Sequence, residues 1–214
     1  MTADPVDLIL ASASPRRHEL IELLGIPFRI VASRYDEPPA PAHPVSLPNL
    51  VMELAANKAL EVADRIGSAW VLGADTLVSL DDAFGIPLGK PADSVHAHRM
   101  LSLLAGRDHF VYTGVALVAP RLPGEPARPV ASVAKTRVWF RELSSEAIED
   151  YVATGEPLDK AGAYGAQGYA APFIERYEGD FNNVVGLPLC EVGRLMERCG
   201  LDWLKLRRQR IRGG

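Results

Sequence analysis

Val6-Asp7-Leu8-Ile9-Leu10-Ala11-Ser12-Ala13-Ser14-Pro15-Arg16-Arg17 is the stretch on which the reading of the fold turns. Val6 to Ala11 is a short apolar run of the kind that forms a buried strand. A helix is expected to follow directly. Ser14 is a good N-cap, Pro15 suits the first helical position where its missing N–H costs nothing, and Gly25 suits a left-handed residue behind Glu19-Leu20-Ile21-Glu22-Leu23-Leu24. A second strand is expected over Phe28 to Ala32. The chain thus opens with a strand–loop–helix unit, and its loop is rich in serine and arginine.

Outward from this unit, strands and helices keep alternating. After the proline-rich loop Pro38 to Pro48, apolar residues at 50, 51, 54, 55, 59, 62, 63 and 66 mark one face of a helix closed by Gly67. Trp70 to Leu80 reads as a central strand, which Asp81-Asp82 and Gly85 turn towards Pro87-Leu88-Gly89-Lys90. Asp93 is expected to cap a helix running to Leu104. Val111 to Ala119 and Ser132 to Phe140 form an expected strand pair, joined by a surface excursion, Pro120 to Pro129, that holds four prolines. A helix over Glu146 to Ala153, a glycine-rich stretch Asp159 to Gly168, a last strand and a helix over Pro188 to Cys199 complete the body. The pattern predicts an α/β fold with a mixed sheet. With no internal repeat and no long linker, residues 1–204 read as one domain and 205–214 as a basic tail.

The bulk numbers exclude several classes. Of the 214 residues, 48% are hydrophobic and 23% charged, with no apolar run near the roughly 20 residues that span a membrane. The short acidic stretch Met1 to Asp7 lacks the basic and apolar regions of a signal peptide, so a cytoplasmic location is expected. Cys190 and Cys199, placed on one helix, would face opposite ways roughly 13 Å apart, which rules out a disulfide between them. Net charge is −4 although Lys205 to Gly214 carry five basic side chains and no acid, so the body is acidic and unsuited to non-specific nucleic-acid binding. The tail has only Leu206 and Ile211 to bury and is expected as a solvated helix end.

No Walker A motif and no Gly-x-Gly-x-x-Gly follows the first strand, which removes the main support for kinase, P-loop and dinucleotide-binding readings. In that place stands Ser-x-Ser-Pro-Arg-Arg. A helix N-terminus offers free N–H groups to an anion, Ser12 and Ser14 add hydroxyls, and Arg16 and Arg17 add guanidinium forks matched to phosphate. A capped helix with two solvated arginines fits the same residues. Asp75 and Thr76 interrupt the apolar run Trp70-Val71-Leu72-Gly73-Ala74, and a carboxylate there is costly unless paired, hydrogen-bonded or metal-bound. Asp36-Glu37, Lys58 and Lys90 gain weight only as members of the whole set. The Asp159 to Gly168 loop has polar side chains set among small ones, as a loop over a ligand does. Asn183 to Leu189 reads mainly as packing that leads into the last helix.

These segments together resemble the Maf family of nucleotide pyrophosphatases. The likeness rests on Leu10 to Arg17, Asp36-Glu37, Glu53-Leu54-Ala55 with Lys58-Ala59, Gly73-Ala74-Asp75-Thr76, Leu88-Gly89-Lys90-Pro91, Asp159 to Gly168 and Asn183 to Leu189, in that order along the chain. The resemblance implies a two-lobed fold similar to inosine triphosphate pyrophosphatases with the site in a cleft between lobes, a magnesium or manganese ion, and a homodimer acting on a nucleotide. It implies hydrolysis of dTTP and UTP, or of modified pyrimidine nucleotides, at the α-phosphorus. The base falls on Asp75 and the specificity positions on Arg16, Thr76 and Gln167. Phosphate contacts fall on Ser12, Ser14, Arg17, Lys58, Lys90 and Lys160, and metal contacts on Glu37, Asp75 and Asp159. Two rival readings are a 7-methyl-GTP pyrophosphatase specificity, which Ala74-Asp75-Thr76 disfavours, and a non-enzymatic regulator of cell division, which only the basic tail supports.

Overall fold

Leu8, Ile9 and Leu10 are buried completely and form strand β1 (Leu8–Leu10), flanked on both sides by parallel partners. The structure, a computed structural model, describes residues 6–121 and 125–213. After β1 come α1 (Pro15–Glu22), β2 (Arg29–Ile30), β3 (Val45–Ser46), α2 (Leu47–Ile66), β4 (Trp70–Ser79), β5 (Phe84–Gly85) and α3 (Ser94–Leu104). The chain continues with β6 (Asp108–Val118), β7 (Pro129–Phe140), α4 (Ser145–Ala153), β8 (Ile174–Glu178), α5 (Phe181–Val185), α6 (Leu189–Arg198) and α7 (Trp203–Gly213). Three short 3-10 turns, Glu156–Asp159, Ala161–Ala163 and Ala171–Phe173, lie between α4 and β8.

The main sheet has the order β2-β1-β4-β6-β7-β8, parallel across β2, β1 and β4 and antiparallel from β4 onwards. The expected mixed α/β sheet is what the chain forms. β1 pairs with β4 only as far as Leu72, and the next pairing on that edge of β4 is the single bridge from Val78 to Leu88. An open stretch of β4 edge remains between them. Such a break in strand pairing at the end of a parallel unit is where open α/β sheets bind ligands.

Two hydrophobic clusters set along one face of the sheet form the two lobes, and α2 covers the other face. On one face, Leu10, Leu72 and Leu117 pack with Leu20 and Ile21 of α1 and Val192, Leu195 and Met196 of α6. Further along that face Val78, Val111, Val138 and Phe140 pack with Met100, Leu101 and Leu104 of α3 and Ile148 and Tyr151 of α4. On the opposite face, α2 lies directly on the sheet. A Cβ at Gly73 or Gly114 would stand 2.3 Å from the carbonyl oxygens of Ala55 and Val51 respectively, so only glycine admits the helix this close.

Several sequence expectations need correction. The basic segment is solvated only in part. Residues 205–213 belong to α7, where Arg208 to Ile211 are exposed but Leu206 is 5% exposed within the α1–α6 core. Arg207 donates to the carbonyls of Leu24 and Leu23, both at 2.8 Å, and Arg210 donates to that of Ile26 at 3.0 Å. Those carbonyls follow α1, where the backbone lacks intrahelical donors and cations are favoured. β3 and β5 pair as a two-stranded sheet where only loop and turn were expected. Pro129 begins β7 rather than ending the surface excursion. Met1 to Pro5, Leu122 to Gly124 and Gly214, which carried parts of the N-terminal, loop and tail readings, lie outside the described residues. Among the described residues no helix is long and apolar enough to cross a membrane.

Candidate active site

Asp75 and Thr76 point to opposite faces of β4, yet both line one cavity of about 820 Å³ because it opens at the unpaired edge of that strand. Ser12, Ser14, Arg16, Arg17, Glu37 and Lys58 line the same space, as do Lys90, Asp159, Lys160 and Gln167. The structure therefore gathers every side chain to which the sequence assigned a role in the site, though Asp36, beside Glu37, does not line it. They come from both lobes, with the α1 end on one side and the Asp159 to Gly168 segment on the other.

The close seat of α2 on Gly73 and Gly114 brings Lys58 over β4. Its ammonium lies 2.5 Å from Asp75 Oδ1 and 2.8 Å from Glu37 Oε1, with Lys58 and Asp75 side chains 12% and 9% exposed and Glu37 half open. The costly buried carboxylate is thus an ion-paired one.

On the other face of β4 a directed chain of hydrogen bonds runs through Thr76. Arg17 donates to the Thr76 hydroxyl at 3.1 Å and to the carbonyl of Gly186 at 2.8 Å. The Thr113 hydroxyl donates to the Asn183 carbonyl at 2.9 Å, so the 3.0 Å contact between Thr76 and Thr113 has Thr76 as donor. Burial pulls the Arg17 guanidinium below its ordinary pKa, and Asp75 pulls it back. Among the described residues, two of the five N–H groups of Arg17 find partners in the protein, which leaves three for an anion. Thr113 and Asn183 were not singled out as site residues. The lone threonine in Val111-Tyr112-Thr113-Gly114-Val115 was the available signal.

Ser14 occupies the N-cap position of α1 but makes no side-chain cap; its N–H donates to Ser12 Oγ at 3.1 Å. The expected cap is therefore absent, and the Ser14 hydroxyl stands at the cavity wall with the first N–H groups of the helix. Across the cavity, Asp159 pairs with Lys160 at 2.6 Å and with Arg16 at 3.7 Å. Burial alone would raise the Asp159 carboxyl, but the Lys160 hydrogen bond and the charges of Lys160 and Arg16 hold it below its ordinary value. Gln167 is exposed to the cavity and Lys90 is exposed at its rim; neither has a hydrogen-bond or ionic partner among the described residues. The Gly162 N–H, at φ +67°, reaches the carbonyls of Leu88 and Gly89, both at 3.1 Å. The segments carrying Lys90 and Gln167 are thereby tied together.

A family model described as Maf-like protein matches residues 7–199. The chain belongs to that family. A dTTP/UTP pyrophosphatase of Moorella thermoacetica is 51% identical over 202 residues, covering 91% of this chain and 96% of the relative. Proteins of the same description from Geobacillus sp. (strain WCH70) and Methanosarcina barkeri are 47% and 44% identical. Each of these two is covered for 95% or more of its length, over 90% and 91% of this chain. Among solved structures, a nucleoside-triphosphatase / dITP/XTP pyrophosphatase from Mycobacterium abscessus overlaps 64% of this chain and 76% of its own, at TM-score 0.41 and 17% identity. That overlap is partial, and nothing about the site rests on it.

Membership in the Maf-like family sharpens what the carboxylates can do. Among the described residues no three histidine, cysteine or acidic side chains gather into a ready-made metal cage. Glu37 and Asp75 are drawn to one lysine, whereas Asp159 is ion-paired with Arg16 and Lys160 instead of joining them. A pair of carboxylates suits a magnesium-type ion, which takes one or two of them and completes its shell with phosphate and water.

Proposed function

We propose that this chain hydrolyses nucleoside triphosphates, with dTTP and UTP preferred, to the monophosphate and pyrophosphate. The observation that carries the reading is one cavity holding a buried carboxylate, Asp75, among Arg16, Arg17, Lys58, Lys90 and Lys160, with the free amide of Gln167 opposite. The names of the Moorella, Geobacillus and Methanosarcina relatives support the nucleotides and the bond cleaved.

A triphosphate brings about four negative charges, and the cationic wall together with the α1 N-terminus supplies the counter-charge. Asp75 orients water for attack at the α-phosphorus and takes its proton. Lys58 holds that carboxylate in place, while the remaining N–H groups of Arg17 and the Ser12 and Ser14 region face the phosphates. A magnesium or manganese ion would be held by Glu37 and Asp75, and its chemistry would be neutralisation of phosphate charge. Asp159 then serves to set Arg16 and Lys160. A homodimer working in the cytoplasm completes the reading.

The test is a nucleotide panel with the purified chain and magnesium or manganese, read by separate pyrophosphate and orthophosphate detection. Pyrophosphate release that is fastest with dTTP and UTP is expected. Release of orthophosphate alone, or a preference for purine triphosphates, overturns the reading.

A further inference from the structure

Glu156 opens the first 3-10 turn after α4, just ahead of the polar loop, and both of its carboxylate oxygens are engaged. Tyr151 donates its hydroxyl to Oε1 at 3.0 Å, and the backbone N–H of Tyr169 donates to Oε2 at 2.9 Å. The Tyr151 hydroxyl in turn accepts from the N–H of Gly165 at 3.1 Å. The Glu156 carbonyl accepts from the Lys160 ammonium at 2.8 Å. Glu156 thus grips the backbone after Gln167 directly and the backbone before it through Tyr151, and its carbonyl holds Lys160. Among the described residues no cation pairs with the Glu156 carboxylate, so it acts here as a double acceptor for the loop.

The glycines of the loop make room for this grip. A Cβ on Gly168 would fall 2.3 Å from both Glu156 carboxylate oxygens, and one on Gly165 would fall 2.6 Å from Oε1 and 2.7 Å from Lys160 Cε. Neither glycine has a positive φ, so neither is required by backbone conformation. Their lack of a side chain lets the carboxylate lie flat against the segment that carries Gln167.

We propose that Glu156 is a positioning residue for nucleotide selection, fixing the span between the base-facing Gln167 and the phosphate-facing Lys160. The proposal rests on the function given above. A nucleotide has a set distance from base edge to phosphates, so a loop held at both points favours the base that fits between them. Removing the carboxylate frees the segment that carries Gln167 while the Glu156 carbonyl still holds Lys160, and misplacement of about 1 Å costs on the order of a hundred-fold in rate for a well-aligned site.

The experiment measures kcat and KM of Glu156→Ala and Glu156→Gln with dTTP, UTP, CTP and GTP. Glu156→Ala should lower kcat/KM at least about ten-fold for the nucleotides that the wild type prefers, and less for the others, so that the preference flattens. Glu156→Gln can still accept from Tyr169 through its amide oxygen and meet Tyr151 through its NH₂, and should keep most of the preference. If Glu156→Ala does not fold, Tyr151→Phe carries the same test, since it removes the link from Glu156 to Gly165. An equal loss for all four nucleotides, or a Glu156→Gln no better than Glu156→Ala, overturns the proposal. The wild-type profile alone tests the function, whereas the change of profile in the variants tests Glu156, so the two can fail separately.

Discussion

Lys58 stands 2.5 Å from Asp75, and the pair sits under a helix that two glycines bring onto the sheet. The ion pair limits the rotation of the buried carboxylate, which is what a base needs before substrate arrives. Asp75→Asn keeps the shape and removes the charge. Turnover should fall by at least ~10²-fold. The fold should survive, because Lys58 retains Glu37 at 2.8 Å. Initial rates of pyrophosphate release and a thermal melt check both halves, and near-normal turnover with dTTP or UTP would remove Asp75 from its role.

α7 is a second place where a single contact set has measurable weight. Leu206 is buried, and three carbonyls beyond α1 depend on Arg207 and Arg210. Deleting residues 206–214 should lower Tm by several degrees. Leu206→Ala alone should cost about 2–4 kcal/mol, the range for a large-to-small core change. None of the described residues of α7 lines the cavity, so the initial rate measured well below the melting temperature should be nearly unchanged. An unaltered Tm on truncation would show that the helix end contributes nothing to the core.

The sequence makes α7 hard to see and Asp75 easy, for physical reasons. A carboxylate inside Trp70 to Leu80 breaks an apolar run and so announces itself. The partners of Arg207 and Arg210 are backbone carbonyls, which leave no mark in a side-chain pattern, so the end of the helix beyond Trp203 reads as solvated. Ser14 has the right residue type for a cap, yet its hydroxyl takes no N–H of the first turn, and its own N–H donates to Ser12 Oγ. Glu156 was overlooked for the same reason as α7, since its donors are a hydroxyl and a backbone N–H. Gly165 and Gly168 were legible as shaping a loop, but what they face was not. β3 and β5 are two residues each, too short for any periodicity to register.

His109 should give the protein an acid-sensitive step. It is fully buried, its Nε2 lies 2.8 Å from the Tyr164 hydroxyl, and its Nδ1 has no partner among the described residues. Burial lowers its pKa to about 3, against a smaller lift from Asp108. The unfolded chain titrates this group near its ordinary value of ~6.5. Between those values the unfolded state binds a proton that the folded state refuses. Stability is therefore lost as pH falls from about 6.5 towards 3, at up to ~1.4 kcal/mol per pH unit. His109→Phe keeps the edge-to-face contacts with Phe140 and Tyr164 but removes the titration. Urea unfolding across pH 4 to 8 should show a shallower acid decline in the variant, with a lower plateau near neutrality because the Tyr164 hydroxyl loses its partner. A decline parallel to that of the wild type would show that other groups carry it.

Gln167 should decide between bases. Uracil and thymine show a carbonyl, an N–H and a second carbonyl along one edge, and a glutamine amide can meet the N–H and one carbonyl together. Cytosine lacks that N–H and places an amino donor beside a ring acceptor, so the same fixed amide pairs with it less well. In the structure the amide has no hydrogen-bond partner among the described residues and lines the cavity, so it is free to read a base rather than to brace its own loop. Bracing is left to Glu156 and Tyr151, which hold the backbone on either side. Buried polar groups left unpaired cost about 1–3 kcal/mol each, enough for ten-fold discrimination or more. Gln167→Leu should therefore lower kcat/KM for dTTP and UTP by about ten-fold or more, with a smaller loss for CTP and the purine triphosphates. Thermal stability should hardly move, because the side chain is exposed and bonded to nothing in the protein. A uniform loss across the panel, or a clear fall in Tm, would assign Gln167 to the loop instead of to the base.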